Sequence, residues 1–313
     1  MSTTATPAAA EVRVRPTPPR RRRGARGRHG LAGVLFVAPT MVLFVALLIG
    51  PLLYALYLSL FREQLIGGNV FAGLDNYSEA FGDSRFLKGL LRMAEFFAFQ
   101  VPIMLGLALV FALILDSGRV WLGPLLRLGV FVPYAVPTVV AALMWGFIYG
   151  HDFGPIAQVA DDIGVTAPNF VGDSLMLFSI ANIVTWAFTG YNMVVLYAAL
   201  RAIPQELYEA AAVDGAGPVK TALHVKLPLL RPAVLLCTIF SVIGTFQLFN
   251  EPAVMNQISP NVVDKSYTPN WYIYNLAFTD QRLNYAAALS FLLGAVVFIV
   301  SYLVMYGTTR RAR

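Results

Sequence analysis

Two stretches of otherwise apolar sequence carry side chains that could grip a ligand. In one, Asn182, Trp186 and Thr189 stand at i, i+4 and i+7 of a helical repeat, with Tyr191 and Asn192 around the adjacent face. In the other, Gln247, Asn250 and Glu251 stand at i, i+3 and i+4. Amides and carboxylates bond hydroxyl groups, and a flat aromatic ring covers the apolar face of a pyranose. Trp186, Tyr191, Gln247, Asn250 and Glu251 therefore offer the chemistry that holds a sugar. Polar groups inside long apolar segments are costly and face either a cavity or another helix. The same residues can thus be read as interhelical hydrogen bonders, and Asn250 and Glu251 as groups exposed at a segment's outer mouth.

Other chemistries lack their residues. No GxxxxGK[ST] occurs, nor any Gly-Lys pair, so this chain carries no phosphate-cradling loop for ATP. HExxH, GxSxG and paired CxxC are also absent, and the three histidines are scattered at positions 29, 151 and 224. No constellation for covalent catalysis or metal binding emerges, and no cofactor is expected on this chain. The one cysteine, Cys237, lies in an apolar run and reads as a small core-filling thiol. Glu95, near the start of another run, reads as a boundary acid paired with Arg92.

These residues need positioning elements, and composition says which kind. Of 313 residues, 58% are hydrophobic and 13% charged, about half the charge of a soluble globular protein. Between successive charged residues lie six long apolar runs: 30–61, 96–115, 128–150, 174–200, 232–250 and 283–309. A helix needs about 20 residues to cross a bilayer, and none of the runs alternates like a barrel strand. The fold class expected is all-α integral membrane with six transmembrane helices, the second beginning near Phe86 and the first bent at Gly50-Pro51.

Basic residues set the orientation. With the N-terminus inside, seventeen Lys and Arg fall on the inner side and six on the outer. Both termini are expected in the cytoplasm. Residues 1–29, rich in Arg and Pro and without aromatics to stack on bases, read as a disordered cytoplasmic tail drawn to anionic lipid rather than a nucleic-acid binder. The arginines at 20–23 also suggest a twin-arginine signal, but the following run is too long and lacks a clear cleavage site. The remainder, 30–313, reads as one domain.

Between the fourth and fifth runs, on the inner side, stands "LRAIPQELYEAAAVDGAGPVKTALHVKLPLLRPA". Pro204 suits a helix start, "QELYEAAAV" a helix body, and "DGAG" a stop. Pro218 opens a second short helix, "PVKTALHVK", which Pro228 is expected to end. The result is a cytoplasmic helix–turn–helix over about 203–228, gripped by a span on each side.

Glu209-Ala210-Ala211, three residues, Gly215, nine residues, Val225, one residue and Leu227-Pro228 resemble the EAA signature of ABC-importer permeases, with Val in place of the usual Ile. "TGYNM" and "QLFNEP" are similar to the sugar branch, the maltose-type permeases, and among them to permeases for disaccharides such as lactose or cellobiose. The likeness runs from Leu31 to about Tyr306. Asn284 departs from a Gly common before "YA", "NQISPN" replaces a Gly-Gly-Pro, and the maltose permease's large outer domain and additional N-terminal spans are missing.

The resemblance implies a type I ABC permease in the bacterial plasma (inner) membrane. Its partners would be a second homologous permease, two copies of an ATP-binding cassette subunit carrying ATP and Mg, an extracytoplasmic sugar-binding protein and membrane lipid. By the same resemblance Glu209, Ala210, Ala211, Asp214, Gly215, Val225, Leu227 and Pro228 form the ATPase-coupling loop. A proton-coupled secondary transporter would instead show related halves and buried acid–base pairs, and a polytopic enzyme a polar cluster at one depth; neither is visible.

Overall fold

The computed structural model describes residues 26–64, 68–118, 120–151 and 154–310. The basic tail through residue 25, with its expected disorder, and Arg119, Arg311 and Arg313 lie outside the described residues. The chain divides into two compact units, the first ending at Tyr54 and the second beginning at Ala55.

The first unit holds α1 (Arg26–Phe44), a π turn (Val45–Ile49) and the start of α2 (Gly50–Ser59). Just before Gly50-Pro51, where a bend is expected, the helix takes that π turn. Pro51 has no N–H to donate, and the C-cap Gly50 N–H reaches back five residues to the Val45 carbonyl.

In the second unit, a small antiparallel hairpin follows α2, β1 (Phe61–Gln64) against β2 (Gly68–Phe71), with Phe61 opposite Phe71. Then come α3 (Asp75–Gly82) and α4 (Ser84–Asp116). Asp83 caps α4 by accepting the amides of Arg85 and Phe86, which places the span's start where an acidic cap precedes the apolar run.

The third run is not one helix. It is α5 (Gly123–Ala135) and α6 (Thr138–Ile148), bent by 98°. Pro137 supplies no N–H and drives Val136 into extended backbone (φ −76°, ψ 127°), which breaks the helix. Among the described residues five helices are long and apolar enough to cross a membrane, or six where the bent pair counts as one broken span.

After α7 (Pro155–Asp162), α8 (Met176–Arg201) is continuous. α9 (Gln205–Val213) and α10 (Pro218–Thr221) form the polar hairpin; a π turn (Ala222–Lys226) leads into α11 (Leu227–Phe246). Pro228 does not end the second limb as expected. It sits in the first turn of α11, and the π turn before it absorbs the missing hydrogen bond, so helix runs from the hairpin into the membrane. The fifth span stops at Phe246 rather than Asn250. α12 (Asn250–Ile258), α13 (Pro269–Tyr274), a further π turn (Asn275–Thr279) and α14 (Leu283–Arg310) complete the chain.

Two buried clusters hold the long helices. Phe86, Met93 and Phe96 of α4 meet Met176, Ile180 and Ile183 of α8, Val242 and Phe246 of α11 and Leu289 of α14. Nearer the hairpin, Ala108 and Ala112 of α4 pack with Met193, Leu196 and Leu200 of α8 and Leu230 and Cys237 of α11. In a bilayer such contacts stabilise through close packing rather than escape from water, which is why small residues mark them. Gly190 of α8 shows how close: a Cβ there would lie 2.1 Å from the Val130 carbonyl oxygen of α5. Asn284, the departure from Gly, is buried and donates to the Leu58 carbonyl at 3.1 Å.

Candidate functional site

A cavity of about 410 Å³ opens between α4, the α5–α6 break, α8 and α11, within the usual range for small-molecule sites. Its helices supply a mixed wall. From α4 come Phe96, Gln100 and Met104; from the break, Tyr134 and Thr138; from α8, Val184, Phe188, Tyr191 and Asn192. The link after α11 adds Gln247 and Phe249, and the first turn of α12 adds Asn250 and Glu251.

Five of the seven expected site residues thus meet at one cavity. Tyr191 stacks on Tyr134 with ring centroids 5.1 Å apart, a flat aromatic wall. Asn192, buried, donates to the Phe188 carbonyl at 3.0 Å. Asn250 donates to Thr138 Oγ1 at 2.7 Å, and Gln247 is exposed. Glu251 is only 5% exposed and lies in the first turn of α12. These last three do not share a helix, because α11 ends at Phe246.

Asn182 and Trp186 go elsewhere. Asn182 donates to the Tyr149 hydroxyl at 2.8 Å, and Trp186 meets Trp145 edge-on at 6.0 Å. With Thr189, which bonds back to the Thr185 carbonyl, they occupy a different stripe of α8 from Val184, Phe188, Tyr191 and Asn192, and Asn182 and Trp186 meet Tyr149 and Trp145 there. The wall residues missed include the polar or phenolic Gln100, Tyr134, Thr138, Ser241 and Thr245. Gln100 was detectable, as a polar side chain in mid-span; it is buried and donates to Thr185 Oγ1 at 3.2 Å.

The polar hairpin stands at the opposite end of α8 and α11. Glu209, Ala210 and Asp214 are exposed on it, and Ala211 is buried. Gly215 has φ +72°, the left-handed conformation glycine adopts freely. Its amide donates to Ala212 O and that of Ala216 to Ala211 O, a full Schellman stop. Val225, Leu227 and Pro228 are half-buried along the returning limb. His224 is exposed, its Nδ1 3.1 Å from the Lys220 carbonyl. A second cavity, about 670 Å³, separates the hairpin from the ends of α4 and α8.

At the far end of α4 from the hairpin, Asp83 accepts from Tyr272 and Tyr285, both at 2.9 Å. Burial pushes its carboxyl up, but these bonds and the two backbone amides outweigh burial and hold it below its ordinary value. Burial and the bond to Asp83 push the Tyr272 phenol up to about 12. Arg92 donates to the Tyr267 carbonyl at 2.7 Å and lies 4.1 Å above that ring, so it is not the partner of Glu95, which is exposed. Among the described residues no three metal-ligating side chains gather.

A family model described as "Binding-protein-dependent transport system inner membrane component" matches residues 104–311. The lactose transport system permease protein LacF of Rhizobium radiobacter is 31% identical over 292 residues, covering 90% of this chain and 96% of that one. The arabinooligosaccharides transport system permease protein AraP of Bacillus subtilis is 29% identical over 273 residues, covering 86% of each. A solved bacterial alginate ABC transporter, in complex with an alginate pentasaccharide-bound periplasmic protein, contains a chain of the same fold. It superposes with a TM-score of 0.80 at 18% identity, over 93% of this chain and 99% of that one.

Proposed function

Since this multi-pass membrane chain belongs to the family of binding-protein-dependent transport system inner membrane components, we propose that it is a permease subunit of an ATP-driven importer for di- or oligosaccharides. It forms half of the pore with a second, homologous permease. Two ATP-binding subunits dock on the two permeases' hairpins, and an extracytoplasmic sugar-binding protein delivers cargo from the other side. Both termini face the cytoplasm.

The observation that carries this reading is mechanical. α8 and α11 line the cavity through Tyr191, Asn192, Ser241 and Thr245, and the same two helices hold the hairpin at their other ends. Displacing the hairpin therefore tilts two cavity walls together. ATP and cargo then favour different states of one bistable assembly, which is what alternating access requires. Glu209 is the acidic contact offered to the ATPase, and Gly215 the turn that presents it. Within the cavity, the stacked Tyr134–Tyr191 pair covers a sugar ring's apolar face while Asn250, Gln247 and Glu251 bond its hydroxyls.

The test is uptake of labelled lactose, cellobiose and maltose into vesicles carrying the full complex, with and without ATP, beside Glu209→Lys. Uptake only with ATP, lost in an inserted Glu209→Lys permease, supports the reading. Uptake by this chain alone, indifferent to ATP, would replace it with a secondary transporter.

A further inference from the structure

Lys226 Nζ lies 2.6 Å from Asp116 Oδ2, and the two side chains are only 13% and 7% exposed. Asp116 is the last residue of α4, and Lys226 the last of the π turn in the hairpin's returning limb. The ammonium also sits 5.1 Å from the ring of Tyr208, the residue before Glu209 on the hairpin's first limb. Tyr208 in turn reaches the Leu200 carbonyl at the end of α8. One buried cation thus touches both limbs of the hairpin and the end of a cavity-lining helix that has no covalent link to either limb nearby. Arg201 is the other charge on the adjoining cavity of about 670 Å³, and it is exposed.

A π turn is a locally irregular piece of helix, often found where function needs a hinge. Force on the hairpin would be absorbed at Ala222–Lys226 unless something stiff bypasses it. We infer that the Asp116–Lys226 pair is that bypass, a strut that passes hairpin displacement to α4 and so to the cavity wall at Gln100 and Met104. It is a positioning device and rests on the importer reading above. The Ala108–Leu200–Leu230 cluster lies just beyond it and binds α4, α8 and α11 into the body that receives the push.

A buried ion pair also exists simply to cancel its own charges, and removing one partner leaves the other uncompensated. The decisive variant therefore removes both. In the assembled complex with Cys237→Ser, spin labels at Leu107→Cys on α4 and Phe298→Cys on α14, both exposed side chains, report the shift of α4 on trapping with ATP and vanadate. This readout needs no identified sugar.

The strut predicts that Asp116→Asn with Lys226→Met hydrolyses ATP but loses the distance shift, and that the charge swap Asp116→Lys with Lys226→Asp recovers it. A full shift in the neutral double variant overturns the strut, since the pair would then be charge compensation alone. Failure of both double variants to co-purify with the ATPase overturns it too, making the pair a folding element. If the unaltered complex neither binds an ATPase nor shows a shift, the importer reading fails and the strut with it.

Discussion

Asn250 donates to Thr138 across 2.7 Å, and each is the first residue of a helix that begins at a break. α6 starts where Pro137 has stopped α5; α12 starts where α11 has run out at Phe246. The two breaks face each other across one cavity, and this hydrogen bond joins them there. Breaks free backbone groups in a membrane and are tolerated where protein or a water-lined cavity satisfies them.

Thr138→Val keeps the shape of the side chain and deletes the acceptor. Leaving the Asn250 amide short of a partner costs about 1–3 kcal/mol. The expected outcome is a lower melting temperature of the purified complex and a higher sugar concentration for half-maximal uptake, with membrane insertion intact. An unchanged uptake curve would separate this bond from the site.

Gly190 is held to glycine by backbone. A Cβ there would meet the Val130 oxygen at 2.1 Å and Phe131 Cα at 2.7 Å, neither of which can rotate away. Gly190→Ala must push α5 off α8, and overpacking of this kind costs about 1–3 kcal/mol. Gly244, on the cavity wall of α11, has nothing within 4 Å of its Cβ position and serves as the control. Thermal melts followed by tryptophan fluorescence should drop for Gly190→Ala and stay level for Gly244→Ala. Equal melts would mean α5 is not held this closely.

Much of this was readable from residue order. Apolar run lengths locate the long helices, and Asp214-Gly215 marks the hairpin's turn, because each depends on local chemistry. The break in the third span was legible in principle at Val136-Pro137, but uninterrupted hydrophobicity masked it. Spacing groups Asn182 with Trp186, and Tyr191 with Asn192; it cannot say which stripe faces α6 and which the cavity, since that depends on where α5 and α6 lie. Gln247 and Asn250 looked helical because no proline or glycine lies between Phe246, where α11 ends, and Asn250. The tie from Asp116 to Lys226 joins residues 110 apart, beyond the reach of any local pattern.

Asp83 makes stability depend on pH with a definite sign. Its carboxyl is held below its ordinary value by Tyr272, Tyr285 and two amides against the upward push of burial. An unfolded aspartate titrates near pH 3.9, so the stabilisation is fully present above that value. It is lost as pH falls through the lower folded value. Asp83→Asn, which still caps the helix but offers no charge to two phenols, is expected to melt below the unaltered protein at neutral pH. The gap should close as pH falls below about 3.9, the value of the unfolded aspartate. A gap that is constant with pH would show that the phenol bonds, not the charge, carry the effect.

Arg92 and Glu95 stand one turn apart on α4, yet they have different fates. Arg92 reaches across to the segment before α13, bonding the Tyr267 carbonyl and covering its ring, 175 residues away. Guanidinium does both at once because it is planar and carries several donors, and a lysine ammonium cannot reproduce the stacked geometry. Burial, only partly offset by Arg92, pushes the Tyr267 phenol up to about 12, so the ring stays neutral and electron-rich beneath the cation at any working pH. Glu95 is exposed and forms no ion pair among the described residues. Arg92→Lys should therefore loosen the segment around Tyr267, seen as faster amide hydrogen exchange there, while Glu95→Gln changes neither exchange nor melting temperature. If Glu95→Gln loosened that segment as much as Arg92→Lys, the two charges would be acting as the pair that their spacing first suggested.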